Sequence, residues 1–386
     1  MNIWSQFDEQ AMRRALALAE RGANTTHPNP RVGCVLAQDQ RIVGAGFHER
    51  SGEPHAEVFA LREAGARARG AAAYVTLEPC AHQGRTPPCT DALIAAGVAR
   101  VVYAIGDPDA RVDGRGAAQL RAAGIQVESG LLAEEAAELN AGFLLRVRHG
   151  RPWVRVKMAA SLDGRTALAN GASKWITADA ARADVQYWRA RSSAVLTGIG
   201  TALADDPALT VRSSSGATTV QRQPLRIVLD SQFRTPIAAR LLREPGTARV
   251  LGVNAAAAAR FAEGLQAASR ARLDPAALSS AAVSVELVAA DSCQRVDLPA
   301  LLKQLGGEGI NELHVEAGAV LAGAFVAAGL ANELLLYLAP TLLGPDARPL
   351  LALPTLASLA ERLRYTVYEI ERIGEDLRLR LRPLKD

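Results

Sequence analysis

The spacing of apolar residues changes period several times along the first part of the chain. Residues 8–22, DEQAMRRALALAERG, place apolar side chains three and four apart and end in glycine, which predicts an amphipathic helix. VGCVLA and RIVGAGF alternate more tightly and read as strands separated by polar turn residues. A helix from about His55 to Gly65 follows, then the strand AAYVTL, a helix opening at Cys89 and the strand RVVYAI. A helix near GAAQLRAAG and the strand IQVES close this series. The order predicts a mostly parallel or mixed sheet with helices on both faces and a site beyond the strand ends. Residues 144–153, LLRVRHGRPW, carry a Gly and a Pro after a last helix, so a domain boundary is placed near Gly150, giving domains 1–149 and 150–386. A second series of strands then runs through PWVRVKMAAS, SAVLTG, PLRIVLD, ARVLGVN, AVSVELV, ELHVEAG and ELLLYLAP, and YTVYEIE and DLRLRLR read as a closing antiparallel pair. No internal repeat is visible.

Length agrees with this division, because 386 residues are long for one domain and 49% hydrophobic content supplies a core to each half. The N-terminal MNIWSQFDEQ has neither the basic nor the apolar region of a secretion signal, and no run reaches the roughly 18 apolar residues of a membrane span. Four cysteines without a regular framework suggest the reducing cytoplasm, where such residues more often serve metal or catalysis than disulfides. Cys34 and Cys293 are read as small buried hydrophobes. The net charge of +4 is small, and residues 1–150 hold 16 Arg against 17 acidic groups, so no concentrated basic stripe for nucleic acid is indicated. Four lysines stand beside forty arginines. Lys157, inside a strand-like run, is therefore a residue to watch, although a strand-edge lysine facing solvent is equally open.

The stretch GEPHAEVFAL sets His55 and Glu57 two residues apart at a helix start, where side chains do not share a face. Downstream, LEPCAHQGRTPPCTDAL supplies Cys80 and Cys89, each preceded by proline. One imidazole and two thiolates are a set zinc prefers, and three protein ligands leave a fourth position for water. A closed structural site would need a fourth ligand, and the nearby His82 is awkwardly placed two residues from Cys80. A cysteine at a helix start also favours its thiolate. With Glu57 facing the water rather than the metal, the layout is that of zinc deaminases.

PHAEVFAL, YVTLEPCAHQGRTPPC and THPNPRVGCVL resemble the deaminase domain of the bifunctional riboflavin-biosynthesis deaminase/reductase family. Eight residues separate Cys80 and Cys89, where nucleoside and tRNA deaminases have two, and that longer loop is itself typical of the riboflavin enzymes. The resemblance implies a cytidine-deaminase-like three-layer α/β/α fold, zinc on His55, Cys80 and Cys89, and Glu57 as proton shuttle. It also implies that Asn29, His48 and His82 contact the substrate. VKMAASLDGRTA, GASKWITAD, TGIGTALADDPALTVR, PLRIVLDS and VEAGAVLAGAF resemble the family's reductase half, of dihydrofolate-reductase-like α/β fold.

For that half the resemblance implies catalytic roles for Lys157 and Asp205. NADPH contacts are implied at Ala159, Trp175, Thr201, Asp205 and Ser231, and along Gly318, Ala319, Val320, Leu321, Ala322, Gly323 and Ala324. Substrate contacts are implied at Ser173, Arg189, Leu209, Arg212 and Glu316. The residues themselves say less. Glycine turns at TGIGT and EAGAVLAGA let backbone amides approach phosphates, no G-x-G-x-x-G follows the first strand, Asp205 is equally a turn carboxylate, and most single arginines lie on surfaces. The implied activity is zinc-dependent deamination of 2,5-diamino-6-ribosylamino-4(3H)-pyrimidinone 5′-phosphate followed by NADPH-dependent reduction of ribosyl to ribityl. A small-molecule substrate, no nucleic acid or membrane partner and a homo-oligomer, dimer or higher, are expected. Two rivals differ in class: a tRNA-editing deaminase fused to a nucleotide-binding module, and a non-catalytic interaction protein with a structural zinc site.

Overall fold

A capping box starts the first helix: the Ser5 hydroxyl accepts the Asp8 N–H at 3.1 Å, and the Asp8 carboxylate accepts the Ser5 N–H at 2.9 Å. Asp8 also accepts the Tyr74 hydroxyl at 2.7 Å and pairs with Arg100 at 2.5 Å, which ties this helix to two strands. Burial would raise the Asp8 carboxyl, but the bonds from Tyr74, Ser5 and Arg100 hold it far below the usual carboxylate range. The computed structural model describes residues 4–81, 87–109, 112–212, 222–271 and 281–384. They form two units, Met1–Arg151 and Pro152–Asp386, each with its own core.

In the first unit the helices are α1 (Gln6–Arg21), α2 (Ala56–Ala64), α3 (Cys89–Ala96), α4 (Arg115–Ala122), α5 (Ala133–Leu139) and α6 (Ala141–His149). The strands are β1 (Gly33–Gln38), β2 (Arg41–Phe47), β3 (Ala72–Leu77), β4 (Arg100–Ile105) and β5 (Gln126–Ser129), in the sheet order β2-β1-β3-β4-β5. β1 runs antiparallel to β2 and β3, and β3, β4 and β5 are parallel. Cys34 and Leu36 of β1 face a core with Ala56, Ala60 and Leu93, while Val35 and Ala37 face another with Met12 and Ala15. This alternation puts helices on both faces and makes a three-layer α/β/α domain. Small residues set the layer spacing. A Cβ on Gly44 would lie 2.2 Å from the Ala60 carbonyl oxygen, and one on Gly46 would lie 2.6 Å from that of Ala56. The start of α2, with its two titratable side chains, is thus seated directly on β2.

The second unit adds β6 (Trp153–Ser161), β7 (Arg165–Ala167), β8 (Ala194–Gly198), β9 (Leu225–Leu229), β10 (Gly246–Gly252), β11 (Ala281–Leu287), β12 (Glu312–Glu316), β13 (Glu333–Ala339), β14 (Arg348–Pro349), β15 (Tyr365–Ile373) and β16 (Asp376–Pro383). Its helices are α7 (Asp179–Arg191), α8 (Ile199–Asp205), α9 (Arg240–Arg243), α10 (Ala255–Ala271), α11 (Leu298–Gly307) and α12 (Ala319–Ala327). Nine strands form one sheet in the order β11-β10-β9-β8-β12-β6-β13-β16-β15, parallel up to β13 and antiparallel beyond it. β7 pairs with β14 in a small separate ribbon.

The alternating DLRLRLR does not follow the usual assignment of leucine inward and arginine outward. Arg378 and Arg380 are buried, whereas Leu377 is 40% exposed. The arginines stay inside because acidic groups meet them: Arg380 pairs with Glu333 at 2.8 Å and Arg378 with Asp184 of α7 at 2.9 Å. Arg155 of β6 joins the same layer, binding Glu333 at 2.6 Å and Glu312 at 3.0 Å. Trp188 of α7 covers them, with the Arg155 guanidinium 4.4 Å from its ring centre. α7, β7 and β14 are absent from the pattern-based reading. Cys34 is buried as expected, but Cys293 is exposed.

Candidate functional site

His55 is the N-cap of α2, with extended backbone and no capping bond from its side chain, so its imidazole is free to face away from the helix. Cys89 is the first residue of α3, and Cys80 follows the exit of β3. The fold brings the three together. His55 Nδ1 lies 3.2 Å from Cys89 Sγ and 3.5 Å from Cys80 Sγ, and all three ligand atoms fall within 4.8 Å of one another. The Cys89 N–H also points at Cys80 Sγ, at 3.4 Å. Among the described residues this is the one cluster of three or more such groups able to hold a metal ion.

The protons in this cluster are shared unevenly. A hydrogen bond from Cys89, then one from His55, pulls the Cys80 thiol down to about 4 against the effect of burial. Cys89 keeps its proton for that same bond and is pushed up. His55 is raised by its bond to Cys80, against burial and with help from the charge of Glu57.

Glu57 is 3% exposed, and among the described residues its Oε2 has no hydrogen-bond partner. Burial raises its carboxyl, and the charge on Cys80 adds to that, while His55 opposes it. An orphaned carboxylate oxygen beside two thiols and an imidazole fits a zinc ion with a reactive group next to it, since such oxygens are costly unless used. His48 is buried, and its ring packs edge-on to His55 with centroids 5.4 Å apart. Its Nδ1 faces the Pro54 carbonyl at 3.1 Å and its Nε2 the Asn29 amide nitrogen at 3.1 Å, which assigns the proton to Nδ1. Burial lowers this histidine and keeps it neutral. Asn29, His48, His55 and Glu57 thus share one neighbourhood, while His82 lies outside the described residues.

In the second unit Lys157, Arg189 and Glu316 meet on the face of the sheet covered by α7. Arg189 donates to both Glu316 oxygens, at 2.5 and 2.9 Å, and to the Thr210 carbonyl at 2.9 Å. Lys157 is half-buried with Nζ 5.8 Å from the Tyr337 ring centre. Burial lowers its ammonium pKa and Arg189 adds to this, while Glu316 opposes it. His314, fully buried, sits 3.4 Å from Glu316, and burial keeps it neutral.

The two glycine turns come together as well. The Thr201 hydroxyl accepts the Gly318 N–H at 3.1 Å, and a Cβ on Gly198 would stand 3.0 Å from the Leu321 side chain. Gly318 and Val320 are exposed at the start of α12, with Ala319 and Leu321 half-buried beside them. Ala322 and Gly323 are buried, Gly323 against the Ala352 carbonyl, where a Cβ would come within 2.3 Å. Ala324 is exposed farther along the helix.

Trp175 is 72% exposed under the Arg182 guanidinium, 4.3 Å from its ring centre. Ser173, Ala159 and Ser231 are half-buried, and Asp205 and Arg212 are exposed. Leu209 is buried with a positive φ of 53°, a conformation that leucine rarely takes and that the surrounding structure must enforce. Thr210, His314 and Tyr337, which touch this cluster, carry no local signal in the sequence.

Fold and site together define a deaminase-type hydrolase domain with a metal-ligand cluster, joined to a reductase-like α/β domain. Residues 5–105 match the cytidine and deoxycytidylate deaminase zinc-binding region, and residues 152–379 match the RibD C-terminal domain. The chain belongs to the RibD family of riboflavin-biosynthesis proteins. It is 50% identical over 382 residues to the riboflavin biosynthesis protein RibD of Escherichia coli, covering 97% of this chain and 99% of that one. The Haemophilus influenzae protein of the same name is 43% identical over 386 residues, covering 96% of each. A solved structure of Acinetobacter baumannii RibD superposes with a TM-score of 0.87 at 44% identity, covering 98% of this chain and 99% of that one. A Thermotoga maritima structure, a diaminohydroxyphosphoribosylaminopyrimidine deaminase/5-amino-6-(5-phosphoribosylamino)uracil reductase, superposes with a TM-score of 0.82 at 32% identity, covering 98% and 99%. Among the described residues no helix is long and apolar enough to cross a membrane.

Proposed function

We propose that the chain carries out two successive reactions on one riboflavin precursor, the first unit as deaminase and the second as reductase. The first replaces the 2-amino group of 2,5-diamino-6-ribosylamino-4(3H)-pyrimidinone 5′-phosphate by oxygen and releases ammonia. The observation that carries this reading is the convergence of His55, Cys80 and Cys89 beside the Oε2 of Glu57, which has no hydrogen-bond partner among the described residues. His55, Cys80 and Cys89 would hold zinc, which when bound supplies a Lewis acid that makes water nucleophilic near neutral pH. Glu57 takes one proton from the attacking water and passes it to the ring nitrogen, then carries the second, from the newly formed hydroxyl, to the departing amine, which leaves as ammonia. Its burial suits both steps, because a raised carboxyl pKa lets one group act as base and then as acid. The Asn29 and His48 pair fixes polar groups at the pocket wall.

The second unit reduces the ribosyl carbon C1 to ribityl, with NADPH supplying the hydride when bound. The adjoining turns at Thr201 and Gly318 suit the cofactor phosphates. Ala159, Trp175, Ser231, the exposed Gly318 and Val320 and the half-buried Ala319 and Leu321 would surround it. Lys157 orients the ribose and Asp205 assists proton transfer, while Ser173, Leu209, Arg212 and the Arg189–Glu316 pair receive the phosphorylated sugar. A homo-oligomer is favoured by exposed leucines 353, 356, 359 and 363 running into edge strand β15, where Val367 and Ile370 are also exposed. Metal analysis together with a coupled assay on the diaminopyrimidinone and NADPH tests the whole reading. One zinc per chain, ammonia release and stoichiometric NADPH oxidation are expected; an enzyme that releases no ammonia with zinc bound overturns it.

A further inference from the structure

α4 reaches both cysteine-bearing segments, yet it lies beyond residues 5–105, the stretch that matches the zinc-binding region. Two cysteines spaced two residues apart are held in register by the turn that joins them. Here eight residues intervene, and a loop of that length does not by itself fix the distance between its ends. α4 makes contact near both of those ends. Glu78 is 4% exposed; its Oε1 accepts the Ala117 N–H and its Oε2 the Gly114 N–H, both at 3.1 Å, so its carboxylate caps the first turn of α4. Between Glu78 and Cys80 stands Pro79, and α4 closes on its carbonyl through Gly116, where a Cβ would lie 2.0 Å from the oxygen.

One turn further along, Gln119 Nε2 donates to Asp91 of α3 at 2.7 Å. That bond orients the amide and leaves its Oε1 to accept the Thr90 hydroxyl at 2.9 Å. Thr90, next to Cys89, in turn sends its N–H to the Cys80 carbonyl at 3.2 Å and holds its hydroxyl at the same distance from that oxygen. The β3 exit carrying Cys80 and the α3 start carrying Cys89 are therefore both fastened to one short helix.

We propose that α4 is a clamp for the metal ligands, with Glu78, Gly116 and Gln119 as positioning residues that set the separation of Cys80 and Cys89. This rests on the zinc reading of His55, Cys80 and Cys89. Outer partners of metal ligands typically contribute about 10- to 100-fold in metal affinity. The test uses the full chain and measures Zn²⁺ affinity by chelator competition and the visible spectrum of the Co²⁺-loaded protein. Glu78→Gln sets an amide against a backbone N–H, Gln119→Leu removes the bridge to Thr90, and Thr90→Val removes the hydroxyl while keeping the shape. Each is expected to weaken Zn²⁺ binding about 10-fold or more and to shift the Co²⁺ bands, with Thr90→Ser restoring both and NADPH oxidation on pre-deaminated substrate unchanged. Affinities within about twofold of the parent and unaltered Co²⁺ spectra in Gln119→Leu and Thr90→Val overturn the clamp, and these two decide the question if Glu78→Gln fails to fold. A parent chain that binds no Zn²⁺ sinks the zinc reading itself, a result distinct from tight binding in parent and variants alike.

Discussion

Glu57 and Lys157 are both titratable groups that burial pushes away from their ordinary charge, and each carries a separable prediction. Glu57→Gln keeps the shape of the side chain and removes the proton carrier. Zinc content is expected to stay at the parent level while deamination falls at least about 100-fold, the usual contribution of a general acid–base group; ammonia release under single-turnover conditions measures it. Lys157→Met removes the ammonium above Tyr337. Reduction of pre-deaminated substrate is expected to fall about 100-fold, as for a misplaced substrate, with ammonia release intact. The three residues of the metal cluster and the neighbouring Glu57 were legible because their chemistry demands particular types in order: His, Glu, then two Cys. The Arg189–Glu316 fork was not legible as a pair, since its members stand 127 residues apart and either alone reads as a surface charge. His314 gave no signal either, because a histidine in an apolar strand has the same pattern whether it faces core or cleft.

At the level of elements, the β2–α2 contact is governed by atoms that are missing. Gly44 and Gly46 leave no room for a Cβ against the carbonyls of Ala60 and Ala56, and those carbonyls belong to the helix that starts at His55. Gly46→Ala is expected to cost about 1–3 kcal/mol by overpacking and to lower deamination more than NADPH oxidation, as thermal unfolding and paired assays would register. Most strands were visible in the sequence, since alternation and turn residues mark them regardless of what they pack on. β16 shows where that logic fails. Its period of two is real, but period cannot say which set points inward, and buried Glu333 with half-buried Asp184 reverses the usual answer. Burial would raise the Glu333 carboxyl, yet Arg155 and Arg380 hold it at about 2, below its ordinary 4.5. Its stabilising contribution is therefore full above pH 4.5 and lost as pH falls towards 2. At about 1.4 kcal/mol per unit this amounts to roughly 3 kcal/mol. Urea unfolding followed by tryptophan fluorescence should show that acid loss in the parent and a flatter dependence in Glu333→Gln; equal slopes would remove Glu333 from the acid response.

For the whole molecule, the two units have separate cores and separate chemistry, so metal removal should divide them. Stripping zinc with a chelator is expected to abolish ammonia release, leave NADPH oxidation on the pre-deaminated compound unchanged, and lower only the thermal transition of the first unit. Zinc added back should raise that transition with its logarithm, because a ligand bound only by the folded form stabilises it by mass action. A Gly and a Pro after a helix are the local marks on which the expected boundary near Gly150 rests; the order of the nine strands was not readable, since crossovers leave no local mark. The inward arginines of β16 also bear on synthesis. Arg378 and Arg380 come from near the end of the described chain, but the carboxylates they meet, Asp184 and Glu333, are made earlier. As domains fold in turn from the N-terminus while translation proceeds, the first unit can close on a nascent chain. The second must leave Asp184 and the second oxygen of Glu333 without their arginines until residues 378–380 have cleared the ribosome, and a message truncated before them would release a protein able to deaminate but unable to complete its larger sheet.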